Sequence, residues 1–234
     1  MVIRDDLAMN PLADAEMSDE SDLPAGDFSA WVTLMLGALR GGQSAVPCGE
    51  CTACCTSFQF IHIGPDETET RSHIPAELMF PAPGLPSGHV VLGYDEHGHC
   101  PMLIDDQCSI YDHRPATCRT YDCRIFPAAG LGIDDVDKVL IDRRAQRWRF
   151  SYPTPADHTR HAAVRAAATF LDGHPDLLPR SSGSSTTQRA VLAIELHDAF
   201  LRHDDATDET TVVEPAPHAV RVELTRRARM RDST

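Results

Sequence analysis

The chain has 234 residues, 42 % of them hydrophobic and 6 % aromatic, which suffices for one well-buried domain with appendages or for two small ones. Against 35 acidic side chains stand 21 basic ones, a net charge of −14. A field of that sign repels phosphate backbones and anionic membrane surfaces, so neither nucleic acid nor membrane is expected as a partner.

Residues 1–26 are acidic and carry Pro11, Pro24 and Gly26, which reads as a disordered N-terminal segment without the continuous apolar core of a signal peptide. The longest apolar stretch, around Trp31–Leu39, is too short to span a bilayer, and the expected location is cytoplasmic. Asp27 is placed to cap a helix to about Arg40, its apolar face made by Phe28, Trp31, Val32, Met35 and Leu39, with Gly41-Gly42 as the stop. After a first cysteine run, residues 57–63 alternate like a strand, and Gly64-Pro65-Asp66-Glu67 opens a short helix. Residues 81–88 form a loop. Val90–Tyr94, Cys100–Ile104 and Cys108–Tyr111 then read as a small meander with turns at 95–98 and 105–107. Arg114-Pro115 opens a helix holding Cys118 and Cys123 and ending before Pro127.

The second half lacks cysteine. Lys138–Ile141 and Trp148–Tyr152 are strand candidates, and Thr154-Pro155 starts a helix through Leu171, stopped by Asp172-Gly173. Residues 180–187 read as a flexible linker, Gln188–Arg202 as a helix, and Arg221–Arg231 as a flexible, arginine-rich tail. The expected class is α+β: a small antiparallel sheet with short helices organised around the cysteines, plus a helical C-terminal extension. The corresponding division is 1–26 disordered, 27–126 cysteine-cluster metal-binding domain, 127–179 mixed or helical extension, and 180–234 linker, helix and tail.

All eight cysteines fall within residues 48–123, in two sets of four. The first is C-x2-C-x2-C-C, comprising Cys48, Cys51, Cys54 and Cys55. The second is C-P-x6-C-x9-C-x4-C, comprising Cys100, Cys108, Cys118 and Cys123. Two thiolates two residues apart can turn about a loop to reach one ion. Three at that interval resemble the run that wraps a cubane iron-sulfur cluster, for which Cys100-Pro101 could supply the distant Cys-Pro ligand. The vicinal pair Cys54-Cys55 points its side chains in different directions, which suits a polynuclear cluster or two neighbouring sites better than one tetrahedral ion. Four disulfides, structural zinc and an iron-sulfur cluster compete. A reducing compartment disfavours disulfides, and the spacing favours an iron-sulfur cluster, a 4Fe-4S form included, without excluding zinc.

The two runs, with Leu103, Ile110-Tyr111, Arg114-Pro115 and Arg119, resemble the YkgJ-type cysteine-cluster family (CxxCxxCC) of zinc- or iron-chelating proteins over about residues 46–126. The resemblance implies a metal-binding or redox module without a settled reaction. Some relatives, flagellin lysine methylases, look like iron-sulfur enzymes that modify a protein. The two functional classes carried forward are therefore a metal-binding module and an iron-sulfur-dependent enzyme acting on a peptide or protein; a structural zinc interaction module is the further alternative.

Around the cysteines, Arg114 and Arg119 can offset thiolate charge, or else pair with nearby acids such as Asp122, as can Arg124. Tyr111 and Tyr121 read as packing residues that seal the site, with Tyr111 beside any cofactor. His62, His73, His97 and His99 lie near the runs but are not needed as ligands, since eight thiolates suffice. Asp105-Asp106 read as solvated turn residues. The expected partners are a metal ion or cluster and a protein or peptide. No nucleotide-binding, hydrolase or metalloprotease motif is present.

Overall fold

The computed structural model describes residues 21–41, 44, 46, 48–178 and 185–231. The expected disorder of residues 1–20 and most of the 180–187 linker lie outside these. The class is α+β, with the sheets small and the helices carrying the larger core.

Strand β1, Leu23–Asp27, leads directly into helix α1, Phe28–Ala38. Residues 23–26, read as part of a disordered segment, are thus ordered by pairing, because β1 lies parallel to strand β7, Trp148–Ser151, with Leu23 opposite Trp148. Asp27 stands at the N-cap position of α1, but its carboxylate accepts from the Ser151 hydroxyl at 2.5 Å instead of capping the helix. Phe28, Trp31, Val32 and Met35 are buried along one face, as their spacing predicts.

Beyond the first cysteine run, β2 is only Ile61–Ile63, because Phe58 takes a left-handed φ of 53° and breaks the longer strand expected over 57–63. The short helix α2 is Thr68–Ser72, beginning after Gly64-Pro65 because the Glu67 carboxylate folds back onto the Gly64 amide. Strand β3, Met79–Pro81, was hidden by the proline that ends it. It pairs with β4, Val90–Leu92, which also pairs with β2, in the antiparallel order β2-β4-β3. The expected meander is therefore corrected: β5, Leu103–Ile104, and β6, Gln107–Cys108, form a separate hairpin. Its two turn residues, Asp105 and Asp106, both have positive φ, the geometry of a tight two-residue hairpin.

The single helix expected over 114–126 is two. Helix α3, Ala116–Thr120, holds Cys118, while Cys123 lies in the break before α4, Ile125–Ala129. Pro127 sits in the first turn of α4, where no helical donor is lost, and Gly130, at φ 69°, ends it. Residues 138–141, read as a strand, belong mainly to helix α5, Val139–Gln146, where Ile141 and Ala145 are buried at a spacing of four. Helix α6, Pro155–Gly173, starts at the predicted Thr154-Pro155, with Thr154 and Asp157 forming a reciprocal capping box. Helix α7, Thr186–Leu196, begins at Ser185, whose hydroxyl accepts from the Gln188 amide, and is followed by the hairpin of β8, Leu201–Asp204, and β9, Glu209–Val212. The arginine-rich tail is a helix, α8, Pro217–Arg231, docked through buried Val220 and Leu224.

Two cores result. The larger combines α1 with α4, α5, α6, α7 and α8, so residues near both ends of the described chain are buried together. Alanines Ala163, Ala167, Ala168, Ala190 and Ala193 are fully or almost fully buried in it, allowing α6 and α7 to approach closely. The smaller core, Ile63, Ile74, Leu92, Met102 and Ile110, lies under the three-stranded sheet. No helix among the described residues is long and apolar enough to cross a membrane.

Candidate metal centre

Backbone bonds bring the two cysteine runs together. The Cys51 amide donates to the Cys48 carbonyl at 3.0 Å, folding the first run into a turn, and a 3-10 turn at Ala53–Thr56 presents Cys54 and Cys55. The Cys100 amide then donates to the Cys55 carbonyl at 2.7 Å, and the Phe58 amide to the Gly98 carbonyl at 3.0 Å. Cys108 returns along β6, opposite Leu103, whose own amide bonds to the Cys100 carbonyl. Helix α3 delivers Cys118: Glu67 accepts from its first amide, Ala116, at 2.5 Å, and the Thr117 hydroxyl bonds to the His62 carbonyl at 2.7 Å.

Cys123 is fixed from both sides. Before it, the wholly buried Asp122 carboxylate accepts from the Trp31 indole at 2.9 Å, from the Ser44 hydroxyl at 3.1 Å and from the Arg124 guanidinium at 2.7 Å. From the other side, the Trp148 indole N–H donates to Cys123 Sγ at 3.2 Å.

All eight cysteines are half-buried free thiols, and all eight line one cavity of about 680 Å³ at the junction of the two cores. Cys54 and Cys123 pack against the helical core, and Cys100 and Cys108 against the sheet core. Burial raises the Cys118 thiol to about 12. Burial, reinforced by the neighbouring Cys54 and Cys51, raises Cys48 to about 11. Cys123 rises to about 12 through burial, opposed by the Trp148 hydrogen bond. Cys54 is raised by its hydrogen bond with Cys55 and then by burial, and Cys100 by burial. Such thiols stay protonated near neutrality until a cation replaces the proton, since the thiolate is the ligand form.

Among the described residues, no three Cys, His, Asp or Glu side chains stand close enough together to hold a single ion. The thiols ring the cavity instead. As a donor set they nonetheless fit a thiophilic metal group, and the wall carries matching cations: Arg114 and Arg144 both face the cavity. Arg144 also donates to the Cys48 carbonyl at 3.2 Å, while its buried Nε has no hydrogen-bond partner.

The predicted flanking residues separate. Tyr111 and Arg114 line the cavity, with the guanidinium 3.7 Å from the ring centroid and Arg114 Nε donating to the Tyr111 carbonyl. Tyr111 is 52 % exposed, at the rim, and does not seal the interior; Tyr121, packed against the helical core, does. Arg119 lies off the cavity wall, 3.8 Å from Glu67, and Arg124 turns away to Asp122. Among the described residues, no histidine lines the cavity: His62 meets His89 at 2.9 Å, His73 stacks on His113, and His97 and His99 flank an exposed turn. Asp105 and Asp106 are exposed turn residues, as read, and stand on the rim with Glu50 and the 63 % exposed Phe60. Sequence reasoning missed Trp148 and Arg144. They lie 25 and 96 residues from the cysteines they contact, and no local pattern marks them.

Residues 47–136 match the family model described as "CxxCxxCC: Putative zinc- or iron-chelating domain". The match begins just before Cys48, takes in all eight cysteines and covers over a third of the chain. It puts metal chelation, by zinc or iron, on the segment that supplies every thiol of the cavity, in agreement with the resemblance read from the motif. No curated protein and no solved structure matches the chain.

Proposed function

We propose that the cavity holds an iron-sulfur cluster through its cysteines and that the protein is a cytoplasmic metal-binding and redox module. The observation that carries this reading is the convergence of eight free thiols, from two separate runs, on one cavity of about 680 Å³. A ring of sulfur donors around that volume suits a polynuclear group better than one tetrahedral ion, whose four ligands would stand around a common point. Free thiols in this number suit a reducing compartment. Cys48, Cys51, Cys54, Cys55, Cys100, Cys108, Cys118 and Cys123 are the proposed ligand set, with Arg114 and Arg144 compensating charge. Bound there, such a group supplies one-electron chemistry.

A second reading, an enzyme acting on a peptide or protein, draws on the shape of the site. The thiols lie in a cleft whose rim, Glu50, Phe60, Asp105, Asp106 and Tyr111, is exposed. Structural metal sites are closed and catalytic ones keep an accessible position.

Anaerobic purification, an absorption spectrum and elemental analysis of one sample test the first reading. Iron with acid-labile sulfide and a broad visible band is the expected result. A colourless protein with one or two zinc ions overturns the cluster and leaves a structural zinc module. For the second reading, addition of a small iron-binding anion to a cluster-loaded sample should perturb its spectrum. An unchanged spectrum points to a closed site.

A further inference from the structure

Three side chains from the cysteine-free half reach the thiol cavity, all beyond the segment that matches the chelating domain: Ile141, and the two that carry hydrogen-bond donors, Arg144 and Trp148. Trp148 opens β7, is 3 % exposed, and directs its indole N–H at Cys123 Sγ over 3.2 Å. An indole nitrogen is a donor only, so a buried one needs an acceptor. A neutral thiol sulfur is a weak acceptor, whereas charge makes a hydrogen bond roughly twice as strong. Arg144, on α5, completes the same wall. Its guanidinium carbon stands 5.1 Å from the Trp148 ring centroid, its Nη2 donates to the Cys48 carbonyl, and its buried Nε is left without a partner.

We propose that Trp148 is a positioning residue of the metal site: its indole N–H holds Cys123 as a ligated thiolate, and Arg144 supplies positive charge behind Cys48. The inference rests on the metal-binding reading above and extends the site to α5 and β7. A hydrogen bond to a ligating sulfur draws electron density from it. With an iron-sulfur cluster bound, this favours the reduced form and raises the reduction potential. With zinc bound, it fixes the orientation of the ligand and slows loss of the ion. Asp122, locked by Trp31, Ser44 and Arg124, holds the backbone beside Cys123, so the indole acts on a ligand whose position is already set.

The test uses the full chain with Trp148→Phe, and a second variant in which Trp148 is replaced by its benzothiophene analogue, which keeps the bicyclic shape and lacks the N–H. Phe150→Leu serves as control: Phe150 lies on the same strand and packs on Phe28 and Trp31, outside the cavity wall. Each protein is loaded with zinc and, separately, anaerobically with iron and sulfide. Both Trp148 variants should keep the wild-type metal stoichiometry. They should release zinc to a chromogenic chelator roughly 10-fold faster, and their iron-sulfur form should have a more negative potential, while Phe150→Leu moves neither readout. A benzothiophene variant identical to wild type in release rate and potential overturns the proposal and leaves Trp148 a packing residue. A wild-type chain that takes up neither metal overturns the metal-binding reading itself.

Discussion

Asp122 carries more of the site than its position in the sequence suggests. Its carboxylate is wholly buried and is held by an arginine, an indole and a hydroxyl at once, directly before a cysteine. Removing one member of a buried pair strands the other charge in a low-dielectric setting. Asp122→Ala should therefore cost about 3–5 kcal/mol in denaturant unfolding, and Arg124→Met in the same chain should recover part of that loss. Full retention of stability in the single variant would mean that water reaches the guanidinium. At the thiols themselves, Cys51→Ser and Cys118→Ser should each lower the metal-to-protein ratio and the soluble yield, because ligation contributes to folding. Unchanged stoichiometry and melting in both would remove the single shared site.

Short elements aim the cysteines, and long-range contacts aim the elements. Helix α3 has five residues, too few to be stable alone, and Glu67 supplies the acceptor for its first amide from 49 residues away. Glu67→Ala should weaken metal uptake, read by competition with a chelator, while leaving the helical core's cooperative melting in place. The turn before Cys100 is as constrained: a side chain at Gly98 would meet the Phe58 ring at 2.5 Å, and the backbone there has φ 81°. Gly98→Ala should thus displace the second run from the first and lower metal occupancy. At the start of α6, hydrogen bonds from Ser29 and Thr154 pull the Asp157 carboxyl down to about 2. Because the folded value is depressed, its stabilisation is complete above the ordinary carboxylate range and lost as pH falls through about 2. The melting difference between wild type and Asp157→Asn should be constant above about pH 5 and shrink toward pH 2. Elements with local signals were legible: α1 from its apolar spacing, α6 from Thr154-Pro155, and both cysteine runs. Helix α5 was not, because Val139-Leu140-Ile141 reads equally as a strand until Ala145 is seen to share a buried face with Ile141. The break between α3 and α4 was hidden because nothing local announces that Asp122 is buried.

Across the whole molecule, the thiol cavity joins two bodies with separate cores, one helical and one beneath the small sheet. Removing the metal under reducing conditions should release the sheet body around residues 48–120, with its short helices α2 and α3, and spare the helical core. Hydrogen exchange should then show deprotection at Ile61–Ile63 and Val90–Leu92, with α6 and α7 still protected; uniform deprotection would mean that the two bodies unfold as one. The candidate ligands were readable from cysteine spacing alone, but Trp148 and Arg144 were not: Trp148 is brought to the cavity on a strand that pairs with residues 23–27, and Arg144 on a helix whose start reads as a strand in the sequence. That parallel pairing has a consequence for how the protein is made. A ribosome releases both cysteine runs before β7 exists, so the nascent thiols emerge with neither the Trp148 indole nor the Arg144 guanidinium of the finished wall. The wall is complete only when the strand that closes the chain's first half against its second has left the exit tunnel, so the thiols of the emerging chain are less shielded, and more open to oxidation, than those of the finished one.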